Sequence, residues 1–356
     1  VHADGDGCIL EDQVEFGPPG GRLGLALIAG RVERDLDRLV AWRRARLIDD
    51  LARHEAHAHC PRLRVGISGA RGLIGSALAA FLESGGHTVI PFRRESGAGG
   101  IAWEPGRRVD EAGLQACDAI VHLAGANVAE ARWTPAVKSR LWSSRVEATR
   151  HLCETLARLP VRPKVLICAS GIGVYGLRRD DPVKEDSSAG DDFLAELCQA
   201  WEAACQPARD AGIRVVHARI GMVVAAAGGA LAKMLPPARF GLLGPVAGGR
   251  QWVPWIALDD LIGAMQVLLH DEGIQGPVNL VSPEPVTNRD LVRAIGRVIA
   301  RPTVIPVPAL AVRLLFGEMG QATLLASCHA LPGRLLAQGF PWRHRRLEDW
   351  LRFELG

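Results

Sequence analysis

The chain has 356 residues, 48% hydrophobic and 23% charged, a mix that excludes a disordered, collagenous or coiled-coil protein. A formal charge of +3 is too balanced for a nucleic-acid surface. No stretch nears the roughly 20 apolar residues of a membrane span, and the best candidate, GLALIAG at 24–30, ends at Arg31. At roughly 100–200 residues per domain, two or three structural units are expected.

Two scarcities limit the chemistry. The chain carries four lysines, Lys138, Lys164, Lys184 and Lys233, and one tyrosine, Tyr175. Its eight cysteines form no CxxC pair and no disulfide-style framework. They are expected to be reduced and mostly buried, in a cytoplasmic protein without a secretory leader pattern. The first residue is Val, as expected of a processed or truncated chain.

In chain order, CILEDQVEF (8–16) reads as one strand. A helical pattern follows over about 22–56, with Leu25, Ile28, Val32, Leu36, Leu39, Trp42, Leu47 and Leu51 at spacings near three and four. One strand and one helix cannot bury such a stripe alone, so it needs a partner surface. HEAHAHC (54–60) groups three histidines and a cysteine, but no second ligand set lies nearby. A frayed helix end and linker is the expectation, with no metal site. The predicted organisation is 1–60, then 61–300, then 301–356.

From residue 62 the period changes. Strands are predicted at 63–68, 87–92, 118–125, 164–170 and 213–220. Helices alternate with them at 72–85, 135–158 and 191–211. Strand–helix alternation with continuously apolar strands indicates an α/β fold, a doubly wound parallel sheet covered on both faces. Further helices are predicted near 258–270 and 288–300, then short helices punctuated by proline.

The first of these strands runs into SGARGLIGSAL (68–78), with glycines at 69, 72 and 75 before a helix. Gly69 suits a tight turn, Gly72 lets a pyrophosphate approach the backbone, and Gly75 lets helix and strand pack closely. This predicts dinucleotide binding. The second strand ends in PFRRE, where Arg93 and Arg94 match the charge of a 2′-phosphate and favour NADP, while Glu95 keeps NAD as the alternative.

On these motifs the chain resembles the epimerase-like atypical short-chain dehydrogenase/reductases. The resemblance extends through VHLAGANVAEARWTPAVKSRLWSSRVEATR (121–150), CASGIGVYG (168–176), DDFLAELCQAWEAA (191–204) and 228–260. The segments 301–320 and 331–340 resemble a C-terminal extension found with this family, and 1–56 resembles the end of a helix-grip lipid-binding domain. It implies a Rossmann-type sheet with a smaller C-terminal substrate lobe, preceded by the N-terminal strand–helix segment. It also implies cofactor contacts at Gly69, Arg71, Gly72, Leu73, Ile74, Gly75, Arg93, Leu123, Ala124 and Arg145. Where the family has His in the block here written WIALDD, this chain has Ala257.

The Tyr and Lys of the usual YxxxK dyad are missing. Arg179 stands four residues after Tyr175, and DDFLAELCQAWE offers neither Tyr nor Lys. Ser170 matches the usual catalytic serine, and Tyr175 is the remaining phenol that could donate a proton. Glu196 and Cys198 on the dyad helix, and His122 within a strand, read as ordinary structural residues. The expected function is an NADP-dependent oxidoreductase acting on an unidentified small carbonyl or alcohol. The alternative is a non-catalytic NADP(H)-binding sensor. No nucleic-acid partner is expected, and the oligomeric state stays open.

Overall fold

A computed structural model describes residues 2–4, 7–9, 11, 13–14, 21–94, 99–177 and 179–356. They form two compact units, 1–50 and 51–356.

In the first unit β1 (His2–Asp4) pairs antiparallel with β2 (Gly7–Ile9), and helix α1 (Gly21–Ala56) begins. The single strand expected over 8–16 is not formed: β2 ends at Ile9, and Glu11, Gln13 and Val14 have no regular structure. Of the expected apolar stripe, Leu39, Leu47 and Leu51 are exposed, while the side chains of Leu25 and Ile28 lie outside the described residues.

The second unit starts with the last turns of α1. It continues through β3 (Arg64–Ser68), α2 (Leu73–Ser84), β4 (Thr88–Arg93), β5 (Ile101–Glu104), β6 (Arg108–Val109), α3 (Glu111–Gln115) and β7 (Ala119–His122). Helix α4 (Pro135–Trp142) passes through a wide π-type turn, Ser143–Glu147, into α5 (Ala148–Arg158). Then come β8 (Val165–Gly171), β9 (Arg179–Val183), α6 (Phe193–Ala203), α7 (Gln206–Asp210), β10 (Arg214–Ile220), β11 (Met222–Ala225) and α8 (Gly229–Arg239). The chain ends with β12 (Trp252–Val253), β13 (Trp255–Ala257), α9 (Leu258–His270), β14 (Gly276–Leu280), β15 (Val286–Thr287), α10 (Asn288–Val298), α11 (Ala309–Thr323), β16 (Cys328–Ala330), α12 (Gly333–Ala337) and α13 (Leu347–Leu355).

Eight strands make the main sheet in the order β14-β10-β8-β7-β3-β4-β5-β6. All its pairings are parallel except β5 with β6. Strands β3, β7, β8 and β10 are buried almost throughout because helices cover both faces, hence their continuous runs of apolar residues, while β4 is half-buried. One core, around Val65, Ile67, Leu78 and Leu261, lies under α2 and α9. The other, around Ile120, Leu152, Leu156 and Trp201, lies under α5 and α6. The strand order reverses between β3 and β7, which opens a crevice beyond their carboxyl ends.

The structure adds detail to three expectations. The end of α1 is anchored rather than frayed, since Arg53 Nη2 donates to the buried Asp260 Oδ1 at 2.9 Å and His54 stacks on Phe81 at 4.4 Å, and residues 57–60 form the expected link to β3. The helix expected over 135–158 is present at those bounds, with a π-type turn at Ser143–Glu147 inside it, and that over 191–211 divides at Ala204–Cys205. Within the C-terminal extension, Leu335, Leu347, Trp350 and Leu351 are buried in the same core as β3. The described cysteines 60, 117, 153, 168, 198, 205 and 328 are free thiols, all buried except the half-buried Cys60.

Candidate cofactor and active site

The glycine turn occupies the mouth of the crevice. Gly69 has φ +73°, a conformation that L side chains rarely adopt, and a Cβ there would stand 3.1 Å from Ala124 N and Leu123 C. Gly72 N–H donates to Gly69 O at 2.9 Å, and Gly72 caps α2 without a side chain. The first amides of α2, from Leu73 onward, therefore meet no capping side chain at the positive end of the helix. A Cβ on Gly75 would collide with Gly69 O, so only glycine lets α2 lie this close to the turn. These features fit a pyrophosphate cradled by backbone. Arg71 is exposed beside the turn. Arg93 closes β4 and Arg94 follows it, both exposed and with no ion pair among the described residues, while Glu95 lies outside them.

The opposite wall is the loop after β7. Ser68 Oγ accepts Leu123 N–H at 3.1 Å and Ala124 N–H at 3.2 Å. With both lone pairs engaged, its proton goes to His122 Nδ1, 2.6 Å away. His122 then carries its hydrogen on Nε2 and donates it to Thr149 Oγ1 at 3.0 Å, which also accepts Trp201 Nε1–H at 2.9 Å. Burial lowers the His122 pKa to about 4, so it stays neutral. Sequence reasoning placed His122 in the core but missed Ser68 and Thr149. The signal was available: Ser68 and His122 close adjacent parallel strands in register.

Arg145 projects from the π-type turn. Its guanidinium lies over the Trp201 ring, 5.1 Å to the centroid, and against Gly125, where a Cβ would stand 3.2 Å from Cζ. Burial lowers its pKa, and its Nη1 is buried without a hydrogen-bond partner.

On the dyad side, Ser170 near the end of β8 donates its hydroxyl to Glu202 Oε1 at 2.7 Å. Glu202 is held in a two-pronged ion pair by Arg219, with Nε to Oε1 and Nη2 to Oε2 both at 2.8 Å. Burial alone would lower the Arg219 pKa, but the hydrogen bonds and charge of Glu202 outweigh it and raise it. Sequence reasoning missed this pair because its members stand on α6 and β10 and meet only through the fold.

Tyr175 corrects an expectation. It is wholly buried, donates to Asn279 Oδ1 at 2.7 Å and accepts from Arg219 Nη1 at 3.0 Å. Burial pushes its pKa to about 12, the wrong direction for an acid working near neutral pH. Its hydroxyl therefore ties the turn after β8 to β14 and β10. Cys198 is buried beside Gly171, with burial raising its thiol to about 11, and Glu196 is exposed. Among the described residues no group of three or more His, Cys, Asp or Glu could hold a metal ion.

Residues 65–280 match the NAD dependent epimerase/dehydratase family, and 307–354 match a domain of unknown function. The chain belongs to that family. It is 41% identical to an epimerase family protein of Mycobacterium bovis over 81% of this chain and 96% of the relative. It is 35% identical to the human epimerase family protein SDR39U1 over 79% and 95%. The crystal structure of the human protein (isoform 2) with NADPH superposes with a TM-score of 0.75 at 33% identity, covering 82% of this chain and 98% of that one. A nucleoside-diphosphate sugar epimerase from Corynebacterium glutamicum gives a TM-score of 0.74 at 33% identity, over 90% of this chain and 64% of that one. A UDP-glucose 4-epimerase from Thermus thermophilus, at 19% identity and a TM-score of 0.64, shares the fold.

Proposed function

We infer that this family member binds NADP(H) and uses it to reduce a small carbonyl compound or oxidise the matching alcohol. The observation that carries the reading is the glycine turn, which packs so tightly that backbone alone faces the crevice at Gly69, Gly72 and Gly75. In this reading the amides of Leu73 and Ile74 hold the pyrophosphate, with Arg71 beside them. Arg93 and Arg94 hold the 2′-phosphate, and the loop at Leu123 and Ala124, with Arg145, borders the nicotinamide end. NADPH solved in the human relative supports the choice over NAD. When bound, the cofactor supplies the hydride.

In this reading Ser170 orients a substrate oxygen. Its single proton now goes to Glu202, so donation to substrate requires the hydroxyl to turn away from that carboxylate. Arg219 keeps Glu202 in place while this happens. That engagement, with the burial of Tyr175, favours a second reading, in which the protein binds NADPH as a sensor without turnover. A screen of small carbonyl compounds for NADPH consumption by the full chain tests both. Consumption that falls in Ser170→Ala supports the oxidoreductase. NADPH binding with no consumption across the screen supports the sensor.

A further inference from the structure

Large apolar side chains stand in the open on two stretches of the second unit, 240–242 and 304–315. Phe240 is 80% exposed, Val304 76% and Leu314 67%, and Leu242, Leu310 and Leu315 are exposed as well. Leu310 and Leu314 are one turn apart on α11 and share a face. The two stretches belong to segments that run side by side. Arg301 Nε donates to Arg239 O at 3.0 Å, Ala247 N–H to Val307 O at 2.9 Å and Val307 N–H to Pro245 O at 3.0 Å. Helix α11 is held in place, since Arg132 Nη1 donates to Leu314 O at 3.2 Å and Lys138 pairs with Glu318 at 2.7 Å. An exposed apolar patch of this kind marks a surface that meets a partner. Charge decides which partner. Residues 221–258 and 301–317 contain no Asp or Glu, in a chain with 39 acids, but carry Lys233, Arg239, Arg250, Arg301 and Arg313. Beside Pro302 and Thr303 an open cavity of about 350 Å³ is lined by Arg293, Arg297 and Arg301. Arg297 is taken by Glu348. Arg293 has no partner among the described residues and Arg301 donates only to backbone carbonyls, so both keep donors for an anion. A second copy of the chain would set these arginines against their own counterparts, because a two-fold interface faces itself.

We propose that this face seats the protein on one leaflet of a membrane containing anionic phospholipid. Phe240, Leu242, Val304 and the Leu310–Leu314 face of α11 enter the interfacial layer, and Arg293 and Arg301 bind lipid phosphates. Apolar side chains fringed by arginine suit that layer: the ring and the leucines leave water, while the guanidinium groups stay level with the phosphates. No described helix is long and apolar enough to cross a membrane, so the attachment is to the surface.

The test is vesicle flotation of the full chain, with vesicles of phosphatidylcholine alone and of equal parts phosphatidylcholine and phosphatidylglycerol. The expected result is flotation with the anionic vesicles only, weakening as salt rises. Arg293→Gln with Arg301→Gln should lower the affinity by about tenfold or more, since each cation near an anionic surface contributes roughly fivefold. Phe240→Ser with Leu314→Ser should lower it by about tenfold as well, through lost apolar burial. All four side chains are exposed, so the urea midpoint should stay where it is. Should the arginine pair fail to fold, Arg293→Gln alone decides, with an expected loss of about fivefold. The proposal is overturned if the unmodified protein ignores anionic vesicles or floats equally with both kinds. It is also overturned if either variant pair floats like the unmodified chain, since the contact would then lie elsewhere. Dimerisation that Phe240→Ser with Leu314→Ser abolishes, without flotation, would give the face to a second copy. Binding of free glycerol 3-phosphate without flotation would give the cavity to a soluble anion, and either result overturns the proposal.

Discussion

The glycine-turn side of the crevice and the α6 side are built from the same alternation of strand and helix, yet they use polar groups differently. On the first side, backbone does the work: Gly69, Gly72 and Gly75 clear side chains away so that amides face outward. On the second, side chains are locked to one another, Ser170 to Glu202 to Arg219 and Tyr175 to Asn279. A backbone site is rigid by packing and ready for a ligand. A side-chain network must let go of one bond before it can act, so the two sides should respond differently to substitution.

The buried line Ser68–His122–Thr149–Trp201 joins the two sides, and its loss should have the largest effect. Folding lowers the His122 pKa from its ordinary 6.5 to about 4 through burial. The unfolded chain therefore binds a proton that the folded chain refuses. The contribution to stability is complete above pH 6.5 and drains away as pH falls from 6.5 to 4, by about 3 kcal/mol in all. Urea denaturation at a series of pH values should show that slope, and His122→Gln should lack this part of it. An unchanged slope in the variant would mean that other groups, such as His270, carry the acid sensitivity.

Next in size is Gly75→Ala. The added methyl meets Gly69 O and lies 2.9 Å from Ala70 Cα, so α2 must move off the turn. Strain of roughly 1–3 kcal/mol and misplaced amides should weaken NADPH by about a hundredfold. Fluorescence titration measures it. If affinity falls by less than tenfold, the turn is not the anchor and the contrast between the two sides fails.

The pair Arg93→Ala and Arg94→Ala should act on one cofactor only. Losing a charge-assisted contact removes roughly 1.5–3 kcal/mol, at least about tenfold in NADPH affinity, and leaves NADH nearly unchanged. Equal affinities for NADPH and NADH in the unmodified protein would show that these arginines do not read the 2′-phosphate.

What the sequence made legible follows the same division. The glycine spacing, the alternation and the arginines at the end of β4 are local, so a window of a dozen residues contains them. Tyr175 misled because a lone phenol near Ser170 looks like an acid. Its real partners, Asn279 and Arg219, stand 104 and 44 residues away. Glu202 with Arg219, and Asp260 with Arg53, were hidden for the same reason. The π-type turn at Arg145 has no proline or glycine to announce it and is visible only in the helix itself.

The smallest expected effect is a deletion that touches neither side. Every residue of the crevice lies at 68 or beyond, so removing residues 1–50 should shift NADPH affinity by less than about twofold. The boundary matters, because Arg53 belongs to the second unit. Asp260 Oδ1 accepts from Arg53 Nη2 and from Arg343 N–H, and Oδ2 accepts from His344 N–H. A deletion carried to residue 58 would strip that buried carboxylate of its cation, at a cost of about 3–5 kcal/mol. The two truncations should therefore bind NADPH alike but differ widely in urea midpoint. If the shorter truncation loses NADPH while staying folded, residues before 51 contribute to the cofactor site. If the two are equally stable, the Arg53–Asp260 pair does not stabilise the second unit.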